Sequence, residues 1–359
     1  MKEERRLSAK ILTTYPIEDA SRRLRIEPIS EELQRLGYQV RTHELLDSWS
    51  FKHKNDGGPF RIAIMLKLFL SLVLRLKHLT DQCDVLVVHR EAFPFFTPHM
   101  ERMAVRHARL SLLDVDDAIY EEPTHRRDWR SRLRSPQRAL EFKNMFDVIS
   151  CGNRSLSTDF DGGSARVLIA PTCPPNWVWS VASATPEGCT ILWTGSQSTL
   201  GSLQRVLPDI LRACEDGDMI LRVLGAKNID ELPNHPRLEA KRWTEDRERE
   251  WLRRSAIGIM PLPNDSPWES GKSGYKAILY LCAGLHAFVS PVGVNTELAK
   301  RFDSVDCCAD SEWYRKLVEY AHAWQESSVK SKVIDTGARE TFNAQLIASQ
   351  VVNTLTSVS

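Results

Sequence analysis

The sequence predicts an α/β protein made of two domains, each with a parallel sheet. Three observations lead there. The chain has 359 residues, long for one domain and suited to two of about 150–200 residues each. Short apolar runs alternate with helical periodicity along both halves, as parallel strands joined by crossover helices do. The alternation breaks over residues 171–188, where Pro171, Pro174, Pro175 and Pro186 leave no clear period, as expected of an interdomain linker. The expected domains are therefore residues 1–175 and 188–338.

The elements of the first half follow in order. Residues 9–13 read as a strand. Residues 18–36 read as a helix, with Gly37 placed as its C-cap. A strand at 38–42 precedes a polar loop at 56–59 and an apolar helix. Residues 84–88 form a nearly continuous apolar run, as a strand buried on both faces requires. A helix at 99–109 leads to strands at 110–115, 146–150 and 166–169.

The second half repeats the pattern. Strands are expected at 190–193, 219–224, 238–241, 257–260, 287–289 and 305–308, and helices at 200–214 and 245–253. Residues 267–276 form a loop with two glycines and two lysines that runs into an apolar helix ending at Gly284. Residues 311–354 read as largely helical.

Composition narrows the function classes. A 42% apolar and 26% charged chain is ordinary for a soluble globular protein. A formal net charge of +1 gives no global electrostatic case for nucleic-acid binding. The eight cysteines are scattered, with no CxxC and no metal-ligand spacing, which suits free thiols in a reducing cytosol and no bound metal. The charged N-terminus lacks the apolar stretch of a secretory signal.

Residues 62–76 are almost wholly apolar, interrupted by Lys67, Ser71 and Arg75 at i, i+4, i+8, one narrow stripe on a helix. They are too few to span a membrane, which takes about 20 residues. Two readings stand. One is a largely buried helix packed on a sheet. The other is a helix at residues 61–77 that meets a membrane surface, helped by Arg61, Lys67, Arg75 and Lys77.

Ligands of parallel sheets bind at the carboxyl ends of the strands, so the residues after each strand carry the candidate chemistry. Trp193 is followed by Thr194, Gly195, Ser196, Gln197, Ser198 and Thr199, then a helix. Small residues and hydroxyls at such a turn suit a diphosphate, or a plain N-cap. In the 267–276 loop, Lys272 and Lys276 are four apart, and Gly271 and Gly274 permit close backbone approach. Cations at a helix N-terminus oppose the helix dipole, a placement that asks for an anion. Ser273 and Tyr275 lie in the same loop. In the first half, Asp114, Asp116 and Asp117 follow a strand, as catalytic, sugar-hydroxyl or metal-binding groups, or as a helix or turn cap with surface charge. His89, Arg90 and Glu91 also follow a strand, and His89 suits a substrate hydroxyl or a structural role. Arg22, Arg23 and Arg25 follow the first strand, facing phosphate or solvent.

These residues resemble a family. Residues 191–298 look like the C-terminal half of a GT-B glycosyltransferase of the large retaining group called family four. The matching features are Trp193-Thr194-Gly195-Ser196, Arg222-Val223-Leu224-Gly225, Trp243 before an acidic helix, Ile257 to Pro263, the Trp268 to Lys276 loop, and Ala283-Gly284 with Ser290 to Asn295. The first half agrees more loosely, through His89-Arg90-Glu91, Asp114 to Tyr120, and Asp147 to Asn153. The resemblance implies two Rossmann-like domains facing a central cleft, with a C-terminal helix (residues 339–359) crossing back to the first domain. It implies a nucleotide-sugar donor on the second domain and a saccharide or lipid-linked acceptor on the first. Transfer would proceed with retention and without a metal or other cofactor, in polysaccharide or glycoconjugate biosynthesis. The expected location is the cytoplasm, at the inner face of the plasma membrane.

The implied donor set is Gly195, Ser196, Ser198, Thr199, Trp243, Lys272, Ser273, Gly274, Tyr275 and Lys276. Trp243 approaches the nucleotide base or sits in the core. The implied catalytic set is Lys272, Glu269, His89 and Asp117, with Arg25, Arg90 and Asp116 on the acceptor side. One departure stands out. The family often carries two glutamates eight residues apart, at positions that are Gly271 and Leu279 here, and Glu269 falls two residues early. The usual lysine in the helix after the first strand of the second domain is also not evident. A non-catalytic protein that kept the fold is therefore an alternative, as is a nucleotide-sugar epimerase.

Overall fold

A computed structural model describes residues 6–54, 58–93, 98–121, 136–182, 184–264, 267–327 and 335–358. Asp56 and Gly57 of the expected loop, Ser183 of the expected linker and residues 328–334 of the expected helical tail lie outside these. The chain divides into two compact units. The first comprises Met1–Thr172, Gly271–Ser273 and Ala344–Ser359; the second comprises Cys173–Ser270 and Gly274–Asn343.

The first unit holds β1 (Ser8–Thr13), β2 (Gln39–Glu44), β3 (Cys83–His89), β4 (Ala108–Val115), β5 (Val148–Cys151) and β6 (Arg166–Ile169). They form a parallel sheet in the order β2-β1-β3-β4-β5-β6. Every residue of β3 is buried, because helices cover both faces of a central parallel strand. The chain leaves β1 for β2 on one side and then crosses to β3 on the other. The connections after β1 and β3 therefore diverge, which opens a crevice at their carboxyl ends. The last helix, Ala344–Thr356, belongs to this unit. Its Ala348, Val351, Val352 and Leu355 share a core with Ile26, Ile29 and Leu33 and with Ile11, Val85 and Val87 of the sheet.

The second unit holds β7 (Thr190–Thr194), β8 (Ile220–Leu224), β9 (Leu238–Lys241), β10 (Ile257–Met260), β11 (His286–Val289) and β12 (Val305–Cys307). The order is β12-β11-β10-β7-β8-β9, again parallel, and the switch in direction falls between β7 and β10. Trp193, Val223 and Ile259 of the sheet pack with Leu203, Leu207 and Ile210 of the helix Gln197–Asp216 and with Trp313, Leu317 and Ala321 of the helix Trp313–Glu326. Both units are thus α/β with parallel sheets, as the alternation predicts.

Several local expectations differ. The helix expected at 18–36 is a π-helical turn, Arg22–Ile26, followed by an α-helix, Glu27–Arg35, with Pro28 in its first turn. Strand β4 begins at Ala108, so the preceding helix, His99–Arg106, is shorter than 99–109. The stretch expected as linker contains a helical turn, Val178–Val181, and from Cys173 onward it belongs to the second unit. The apolar segment is a helix, Pro59–Lys77, but not a buried one. Of its side chains only Ile64, Leu72 and Arg75 are buried; of its polar stripe, Arg75 faces the protein, Ser71 is half-buried and Lys67 is exposed at the edge. Arg75 donates to the carbonyls of Ala92 (2.7 Å), Thr13 (2.6 Å) and His43 (2.7 Å), which fixes the rotation of the helix.

Candidate functional site

In the second unit the candidate site is built on the turn after β7. Gly195 N–H donates to the carbonyl of Leu224 (2.9 Å). Gly225, at the end of β8, has φ +105°, and a Cβ there would lie 2.0 Å from the Gly195 carbonyl oxygen. Only glycine permits both the conformation and the approach. Ser196 is the N-cap of the helix Gln197–Asp216 without a side-chain cap bond; its hydroxyl pairs with that of Ser198 (2.8 Å). The first turn of this 20-residue helix therefore presents N–H groups at the positive end of its dipole.

A cation is fixed over this turn. Lys276 Nζ donates to Thr199 Oγ1 (3.2 Å) and lies 4.4 Å from the centre of the Trp193 ring. A Cβ on Gly195 would come within 2.7 Å of that ammonium. The helix that carries Lys276 begins at Tyr275, after Gly274 in the left-handed region (φ 69°). Lys272 precedes this helix, so the i, i+4 alignment of the two lysines does not hold. Residues 271–273 belong to the first unit, whereas Lys276 belongs to the second.

Groups that the motifs did not mark hold the turn in place. Thr194 N–H donates to the Tyr280 hydroxyl (3.0 Å), and Thr194 Oγ1 donates to Glu248 (2.9 Å). The Tyr280 ring packs on Gly258, where a Cβ would fall 2.1 Å from it. Gln197 accepts from the backbone N–H groups of Lys227 (2.9 Å) and Asn228 (3.1 Å) and donates to Glu231 (2.8 Å). This network ties the turn after β8 to the start of the helix. Trp243 is 40% exposed, immediately before the N-cap Thr244, so it is not a core tryptophan. Glu269 lies in the short helix Pro267–Ser270 and is buried.

In the first unit a polar cluster occupies the carboxyl ends of β1, β3 and β4, at the β1/β3 crevice. His89 Nε2 lies 2.9 Å from Ser21 Oγ, and that hydroxyl donates to Asp116. Arg90 bonds Asp116 (2.6 Å) and Asp117 (2.7 Å). Arg90 has φ 62°, a left-handed conformation that side-chain-bearing residues seldom adopt. Burial pushes the Asp116 carboxyl up; the Arg90 guanidinium and His89 outweigh it and hold the carboxyl well below the usual carboxylate range. Burial raises Asp117, with Arg90 and then Lys272 offsetting part of the effect. Asn153 Nδ2 donates to the carbonyls of Gly271 (3.2 Å) and Lys272 (2.8 Å), and Ser273 is buried.

Arg25, expected to face an acceptor, is an internal strut. It pairs in a bidentate manner with Asp114 (2.8 and 2.6 Å) and donates to the Ala170 carbonyl (2.7 Å) and Thr172 (3.1 Å), all buried. The structure thus brings His89, Arg90, Asp116 and Asp117 together and adds Ser21, which no motif marks. It separately brings Gly195, Ser196, Ser198, Thr199 and Lys276 together.

No family model matches the chain, and no curated protein matches it in sequence. Solved structures do match its fold. HepE from Anabaena, in complex with UDP-glucose, superposes with a TM-score of 0.64 at 13% identity, covering 98% of this chain and 100% of that one. A glycosyltransferase from Rickettsia africae gives 0.64 at 12% identity, covering 99% of each chain. An α,α-trehalose 6-phosphate synthase from Burkholderia multivorans gives 0.61 at 11% identity, covering 98% of this chain and 96% of that one. Two parallel sheets of six strands, with helices, are the Rossmann-like units of the GT-B fold.

Proposed function

We propose that the protein is a glycosyltransferase that moves a sugar from a nucleotide-sugar donor to a hydroxyl of a saccharide or lipid-linked acceptor. The observation that carries this reading is the fixed ammonium of Lys276 over the turn of residues 195–199, at a sheet switch point and a helix N-terminus. Phosphate binds where backbone N–H groups, hydroxyls and a cation converge. The HepE structure, which shares the fold, holds UDP-glucose, and this supports a nucleotide sugar as the ligand.

As the donor's glycosidic C–O bond breaks, negative charge grows on the departing diphosphate. Lys276, the Ser196, Ser198 and Thr199 hydroxyls and the N–H groups of the helix stabilise that charge without reorganising, which is electrostatic catalysis. Trp243, exposed beside an N-cap, takes the base. Gly274 and Tyr275, in the second unit with Lys276, complete the donor set there. On the first unit, Ser21, His89, Arg90, Asp116 and Asp117 bind acceptor hydroxyls; the Asp116 carboxylate, kept ionised, is a strong acceptor. The reading includes retention at the transferred carbon, no bound metal or cofactor, and a cytoplasmic enzyme of polysaccharide or glycoconjugate assembly. A panel of uridine, guanosine and thymidine diphosphate sugars, screened by thermal shift and then by product analysis, tests it. Binding to the native state raises the melting temperature by mass action, and no shift with any of them refutes the reading.

A second reading has its own observation. The two positions where the family often carries glutamates cannot hold them here. A Cβ on Gly271 would lie 2.5 Å from the Ala118 methyl, and Leu279 is fully buried in the helix Tyr275–Cys282. A protein that binds the donor without transferring it fits this loss. Saturable nucleotide-sugar binding with neither transfer nor hydrolysis across many acceptors would establish it.

A further inference from the structure

The helix Pro59–Lys77 is inside out. Of its polar stripe, Arg75 is buried against the protein, Ser71 is half-buried and Lys67 lies exposed at the edge. Its apolar arc faces outward, with Ile62 65%, Leu66 67%, Phe69 68% and Leu70 58% exposed. Met65, Val73, Leu74 and Leu76 extend the same arc and are also exposed. On a helical projection these eight side chains cover about half of the circumference. The orientation is held by Arg75, whose buried guanidinium bonds three backbone carbonyls of the first unit. Rotating the helix to hide the apolar arc would break those bonds and expose the guanidinium's carbonyl partners. An exposed apolar surface of this extent marks an interaction site.

Charge identifies the occupant. The helix contains Arg61, Lys67, Arg75 and Lys77 and no acidic residue. Arg61 and Lys67 border the arc on its two sides, and Lys77 stands at its end. Lys52 lies on the neighbouring helix Ser48–His53 and is exposed. At the other end of the arc, Trp49, His53 and Phe60 form an aromatic group: the Phe60 ring stacks on His53 (4.8 Å) and lies 6.0 Å from Trp49. Lys67 Nζ sits 4.4 Å from the Trp49 ring and pairs with Asp47 (2.8 Å). Apolar side chains bordered by cations, with a tryptophan at the edge, match the boundary between acyl chains and anionic headgroups. A second copy of the chain fits less well. A two-fold antiparallel pairing of this helix sets Arg61 of one copy near Lys77 of the other, with no acid on either helix to answer them. The helix is about 28 Å long at 1.5 Å per residue. Among the described residues no helix is long and apolar enough to cross a membrane, so the contact is parallel to the surface.

We propose that the helix Pro59–Lys77 lies flat on an anionic lipid bilayer, with its apolar arc in the acyl boundary and Arg61 and Lys77 at the headgroups. This contact is independent of the donor site and of transfer. It would also bring the protein to a lipid-linked acceptor.

The test is vesicle flotation of the full chain, without nucleotide, using phosphatidylcholine alone and phosphatidylcholine mixed with phosphatidylglycerol. The wild type is expected to float with the anionic vesicles and to do so less at high salt. The double variant Leu66→Glu/Phe69→Glu is expected to lower the bound fraction by about tenfold or more, with the melting temperature unchanged because both side chains are exposed. Arg61→Gln/Lys77→Gln, which leaves the apolar arc intact, is expected to lower binding to anionic vesicles more than to neutral ones. Wild type that floats with neither vesicle overturns the proposal, as does flotation that both double variants leave unchanged. A dimer in light scattering that Leu66→Glu/Phe69→Glu dissociates, with no vesicle binding, overturns it in favour of a second copy. Because no nucleotide is present, failure of the donor reading leaves this result unaffected.

Discussion

Replacing Lys276 with methionine keeps the length of the side chain and removes its charge. The ammonium sits 3.2 Å from Thr199 Oγ1 at the start of the helix Gln197–Asp216, so a phosphate held by that first turn lies roughly 4 Å from it. At an effective dielectric of about 20, unit charges at that separation attract by about 4 kcal/mol. Desolvation of both groups returns part of this, and a charge-assisted hydrogen bond is worth about 1.5–3 kcal/mol net. A loss of about 2 kcal/mol weakens nucleoside diphosphate binding about 30-fold. Lys276 is only half-buried, so stability is expected to change little. Isothermal titration calorimetry of wild type and Lys276→Met against UDP, GDP and dTDP measures the difference. An affinity change under about threefold for the nucleotide that the wild type binds would refute the placement of the diphosphate.

Three further outcomes follow from the same geometry. Arg25→Met strips the charged partner from the buried Asp114 carboxylate, leaving it the Ser150 hydroxyl, and is expected to destabilise the first unit by about 3–5 kcal/mol, read by urea denaturation; a loss under about 1 kcal/mol would show that Arg25 is no strut. Glu101 is buried and accepts from the Phe93 N–H (2.9 Å), and burial pushes its carboxyl up to about 7 from 4.5. The folded state then keeps the proton that the unfolded chain releases, so stability is fully present below the lower value and is lost as pH rises to the upper one. The total is about 3 kcal/mol at most. Glu101→Gln is expected to remove that decline and to melt higher than wild type at alkaline pH; parallel pH profiles would contradict it. Lys272→Ala is expected to lower turnover by about 10²-fold, with less effect on nucleoside diphosphate affinity than Lys276→Met has; near-normal turnover removes Lys272 from the catalytic set.

Strands were the most legible elements. β3 and β7 are buried along their whole length, and their central residues, Val85–Val88 and Ile191–Trp193, form apolar runs that need no tertiary information to read. The turn after β7 was legible for a related reason: a strand, a glycine, hydroxyls and a helix follow in immediate succession. What the sequence leaves hidden is direction. Lys272 and Lys276 have the spacing of one helix face, yet the helix begins between them, at Tyr275. Arg25 reads as a surface cation, and only the fold brings Asp114, Ala170 and Thr172 to it from positions remote in the chain. Ser21 reaches His89 and Asp116 in the same way. The helix Pro59–Lys77 shows the limit most clearly. Its periodicity marks two faces, and the inward face is chosen by the carbonyls that Arg75 finds, not by hydropathy.

The most direct measurement is a crystal structure of the protein with the nucleoside diphosphate that calorimetry selects. The expected result is a diphosphate within hydrogen-bond distance of the first-turn N–H groups after Ser196 and of Lys276 Nζ. A diphosphate bound away from residues 195–199, with the Lys276 ammonium still resting on Thr199 and Trp193, would contradict the donor site.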